Sequence, residues 1–88
     1  MPYIKQEYRI SIEEELNTLI EAMKFDGING VGDCNYVITK LLQGVLQPKT
    51  YTDMNAVIGV LECAKMEFYR RAAAPYEDQK AGENGDVY

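Results

Sequence analysis

Between Asp53 and Ala74 the apolar residues recur at helical spacing on more than one side of a single predicted helix. At 100° per residue, Met54, Val57, Ile58, Leu61, Ala64, Phe68 and Ala72 form one stripe suited to a core. Ala56, Val60, Cys63 and Ala74 form a second apolar strip beside it. Only a narrow sector with Asn55, Glu62, Met66, Tyr69 and Arg70 is suited to water. Two apolar strips on one helix of a short chain predict self-association. Gly59 lies within this helix, where it costs about 1 kcal/mol against Ala and lets another backbone approach closely.

The same periodicity places two more helices. Leu16, Leu19, Ile20 and Met23 form a stripe that ends near Phe25, and Ser11-Ile12-Glu13-Glu14 in front of it has the capping-box pattern. Residues 1–9 then read as an N-terminal arm. Cys34, Val37, Ile38, Leu41, Leu42 and Val45 define a second helix over 33–47, with Asp33 as its cap and Pro48 at its end. The short connection 47–52 predicts an antiparallel hairpin with the helix over 53–74, capped by Thr50 or by Thr52-Asp53. Pro75 must kink or end that helix, and 75–81 reads as a short fourth helix or a kinked extension. Residues 82–88 read as a polar tail. No strand alternation persists, so the fold class is all-α: one domain over 1–88, a compact three- or four-helix unit around the central hairpin.

Composition narrows the function. The 88 residues carry a net charge of −5 and no histidine. That charge argues against a nucleic-acid surface, whose affinity comes from basic residues that release counterions. No apolar run approaches the roughly 20 residues of a membrane span, and a cytoplasmic setting is expected. Without histidine the chain lacks the commonest general base and metal ligand. Glu62 and Glu67 lie about 140° apart on their helix and do not converge. Gly27, Gly30 and Gly32 sit in a loop over 26–32 with no strand before it and no Lys-Ser/Thr after it, so it is a connector and not a phosphate cradle. Cys34 and Cys63 are expected as small buried thiols in a reducing compartment; a reactive Cys34 in a first helical turn is the alternative. No catalytic residue, metal site or cofactor is assigned.

The segments Asn35–Leu42, Gly59–Arg71 and Pro75–Tyr88 resemble a family of short uncharacterised proteins from bacterial, phage and environmental sequences. The resemblance is strongest from Asn35 to Tyr88. It implies a phage or prophage setting, and no assigned activity or functional residue carries over.

Two surfaces remain as candidates. Ala56, Gly59, Val60 and Cys63 are the expected interface of a homodimer. Tyr69, Arg70, Arg71 and Tyr76 are the expected patch for an unidentified protein partner or a small anionic ligand or nucleotide, with Glu67, Glu77 and Asp78 as competing ion-pair partners for the arginines. A non-enzymatic interaction protein is the expected function, and an anion binder is the alternative.

Overall fold

The computed structural model describes residues 2–25 and 30–88. The chain is all-α, with α1 over Gln6–Phe25, α2 over Val31–Leu46 and α3 over Tyr51–Phe68. A π turn, Tyr69–Ala73, carries the third helix on into α4, Ala74–Asn84. Residues 26–29 of the expected connector lie outside the described residues.

α1 starts five residues before Ser11, and the capping box expected at Ser11 does not form. Its hydroxyl donates instead to the Tyr8 carbonyl at 3.0 Å, one turn back within the helix. The reason lies upstream. Gln6, Glu7 and Arg9 are good helix formers, and Glu7 sits in the first turn, where negative charge is favoured. The Tyr8 N–H reaches the Lys5 carbonyl at 3.0 Å, and Arg9 Nε reaches that of Ile4 at 2.9 Å. The N-terminal arm is correspondingly shorter than residues 1–9.

α2 also begins earlier than expected. Gly30, with extended backbone, is the cap, and Asp33 is the third helical residue. Asp33 Oδ2 accepts from the Gly30 N–H at 3.3 Å, so the carboxylate reaches back to the cap and is not the cap itself. The helix stops at Gln47, whose φ of 46° is left-handed, a conformation that glycine adopts more readily. The Gln47 N–H donates to the Gln43 carbonyl at 3.1 Å, and Pro48 follows.

Thr50 caps α3. Its Oγ1 accepts from the Asp53 N–H at 3.1 Å, while Asp53 Oδ2 accepts from the N–H groups of Thr50 at 3.1 Å and Lys49 at 3.0 Å. At the far end Pro75 does not stop the helix. It occupies the opening of α4, where its missing N–H is tolerated. α4 runs to Asn84, three residues into the expected tail. It ends at Gly85, whose φ of 94° suits a residue without a side chain.

The chain divides into two units, Tyr3–Val57 and Ile58–Tyr88, the latter taking in Pro2. Neither unit has a core of its own: among the described residues none is buried. The apolar stripes are therefore not buried in a core among the described residues. Val45 of α2 is 72% exposed, and Ile58 and Phe68 of α3 are 61% and 71% exposed. Cys34 and Cys63 are exposed as well, against the expectation of buried thiols. An amphipathic stripe marks surface that gains from cover, but it does not specify what provides the cover. Among the described residues no helix is long and apolar enough to cross a membrane.

The N–H groups of Lys49 and Thr50 hold the Asp53 carboxyl below its ordinary value. Its folded-state pKa thus lies under the unfolded value of roughly 4, so its contribution is present above that pH and is lost as pH falls through the folded value. Melting followed by circular dichroism should show lower stability at pH 3 than at pH 6. Asp53→Asn should remove part of that difference, and Thr50→Ala should cost about 1 kcal/mol at either pH.

Candidate functional site

On α3, Ala56 and Val60 are four residues apart, as are Gly59 and Cys63, and each pair is three residues from a member of the other, spacings that keep side chains near one helix face. All four are exposed. Apart from its chain neighbours and the backbone of its own helix, no heavy atom among the described residues lies within 4 Å of the position a Cβ would take on Gly59. The strip is continuous and open.

The second candidate patch straddles the π turn, and the turn rearranges it. In an uninterrupted α-helix, residues seven apart are separated by about two turns and share a face. On such a helix Tyr76 would stand in line with Tyr69. A π turn closes its hydrogen bonds over five residues and adds one residue to the register. The Ala74 N–H accordingly donates to the Tyr69 carbonyl, five residues back. The residue that comes into line with Tyr69 is then Glu77, eight positions on. The Tyr69 hydroxyl donates to Glu77 Oε2 at 3.1 Å.

The four patch residues are consequently not gathered into one site. Arg70 donates to Glu67 through Nη2 at 2.7 Å and Nε at 3.4 Å, the forked geometry of a guanidinium on a carboxylate. The ring of Tyr76 lies 5.6 Å from Lys80 Nζ in a cation–π contact, and Lys80 in turn pairs with Glu83 at 3.2 Å. Tyr69 and Arg70 share a shallow groove with Lys65 and Met66, which neither Arg71 nor Tyr76 lines. Arg71 makes no ion pair among the described residues.

Sequence reasoning missed Glu77 as the partner of Tyr69, because the periodicity it used has no place for the extra residue. Pro75 was the available signal. A second apolar groove went unread: Leu19, Ala22 and Met23 of α1 line it with Tyr36 and Val37 of α2, all within the first unit. Among the described residues no group of three or more His, Cys, Asp or Glu side chains could hold a metal ion.

The bond to Glu77, and then the charge of Glu77, push the Tyr69 phenol above its ordinary value. With the folded-state pKa raised above roughly 10, the contact contributes below that pH and is lost as pH rises through the folded value. Tyrosine titration followed by NMR should find Tyr69 ionising above the ordinary tyrosine value of roughly 10. Glu77→Ala should bring it back toward that value.

The sequence matches, over residues 1–87, the family described as Domain of unknown function (DUF6899). No curated protein and no solved structure matches it.

Proposed function

We propose, for a chain that belongs to the DUF6899 family of unknown function, a role in association rather than catalysis. On this reading it is a small non-enzymatic protein-interaction module that works as a homodimer, in the phage or prophage setting its resemblance implies. One observation carries the reading. No described residue is buried, while Leu16 and Ile20 of α1, Ile38, Leu41 and Val45 of α2, and Ile58, Leu61 and Phe68 of α3 are all exposed. Covering a side chain of this kind contributes about 1.5–3 kcal/mol, whereas isolated helices of this length are marginal in water. A second polypeptide surface offers that cover.

The strip Ala56, Gly59, Val60 and Cys63 is the closest line of approach for another copy of α3, since Gly59 leaves open space where a side chain would stand. A two-fold axis through it would bring each of these residues near its own strip in the partner. The missing histidine supports the non-enzymatic part of the reading.

A second reading, binding of a small anion or nucleotide around Tyr69, Arg70, Arg71 and Tyr76, has one observation in its favour: Arg71 has no carboxylate partner among the described residues. It ranks lower because Tyr69 and Arg70 are held by Glu77 and Glu67. A rise in melting temperature with any member of a nucleotide panel would move it to first place.

Sedimentation equilibrium and melting at several protein concentrations test the association. A dimer whose melting temperature climbs with concentration is the expected result. Val60→Asp should shift the equilibrium to monomer and lower the melting temperature. Cys63 lies on the strip and Cys34 does not, so a thiol reagent should label Cys34 faster than Cys63 in the dimer and both alike in Val60→Asp. A cooperatively folded monomer whose melting ignores concentration would overturn the reading.

A further inference from the structure

We propose that Pro75 makes the segment Tyr69–Glu77 a register selector: it holds the π turn open, and the π turn decides whether Tyr69 faces Glu77 or Tyr76. In a regular α-helix the Pro75 ring would run against the carbonyl four residues back, that of Arg71. A turn closed over five residues no longer sets that carbonyl in line beneath the ring. The bond from the Ala74 N–H to the Tyr69 carbonyl closes such a turn one residue before the proline. The side chains clasp the same register, through Tyr69 and Glu77 at 3.1 Å.

The alternative register is well defined. If the turn reverted to α-helix, every residue from Ala74 onward would rotate by one step, about 100° about the axis. Tyr76 would take the place of Glu77 beside Tyr69. A hydroxyl–carboxylate contact would become an aromatic pair, and the acidic residues Glu77 and Asp78 would turn to a different side of the helix. A single added residue thus sets which face α4 presents relative to the last turns of α3. All the groups involved lie within the second unit, and the inference stands whether or not the chain dimerises.

The test uses the full chain with tyrosine labelled for NMR, Tyr69 being assigned through Tyr69→Phe. In Pro75→Ala the contact of Tyr69 with Glu77 should give way to one with Tyr76, and the Tyr69 titration should fall toward the ordinary tyrosine value. Deleting Ala72 from Pro75→Ala should restore the contact with Glu77, now seven residues away in unbroken helix. Ala favours helix over Pro, so neither variant removes a helix-forming residue that α4 needs. A Pro75→Ala chain that keeps the Tyr69–Glu77 contact would overturn the proposal. So would a deletion variant that is helical by circular dichroism yet does not regain it.

Discussion

Hydrogen bonding between near neighbours along the chain holds the described structure, and burial contributes little to it. Each helix satisfies its own backbone, and the side-chain bonds at its ends complete what the ladder leaves open. Asp53 serves two N–H groups ahead of α3, Asp33 serves the one at Gly30, and Gln47 turns left-handed so that its N–H can meet Gln43. Tertiary packing usually provides most of a helix's stability through its apolar face. Here those faces are formed and ordered along their helices but remain in contact with solvent.

That balance gives the apolar side chains their meaning. In a protein with its own core, Ile58, Leu61 and Phe68 would be spent on stability. In this chain they are unspent surface on the same helix that carries the open line through Gly59. Large exposed apolar areas on a folded chain mark places of interaction. The ion pairs are local, three residues apart, as in Glu62–Lys65 and Glu67–Arg70, and exposed pairs at this spacing contribute a few tenths of a kcal/mol at most.

The parts of the fold legible in the sequence were those with a local cause. The third helix and its cap at Thr50 followed from spacing and side-chain chemistry, and Pro48 marked the end of α2. Ser11 misled because a hydroxyl can cap a helix or bond back within one, and the choice depends on whether the preceding residues are already helical. Asp33 misled because an aspartate works both at the cap and three residues after it. Within Tyr69–Ala73 the π turn had no compositional sign, since Tyr, Arg and Ala sit equally well in either kind of turn; the sign stood just beyond it, at Pro75. With the added residue unread, Glu77 could not be matched to Tyr69. Burial was the least legible property, because a stripe shows which face is apolar and not what will meet it.

The locality of the capping bonds at Lys49, Thr50 and Asp53 bears on the order of events as the chain folds. A helix closed by contacts three and four residues apart requires no long loop to be shut first, so it forms on the microsecond scale. Meeting another surface is slower, and its rate depends on how often two molecules collide. For a chain that associates as proposed, the two stages are separable in time. After synthesis or dilution, it would pass through a lifetime set by its concentration, during which its helices exist and its apolar faces are still unclaimed.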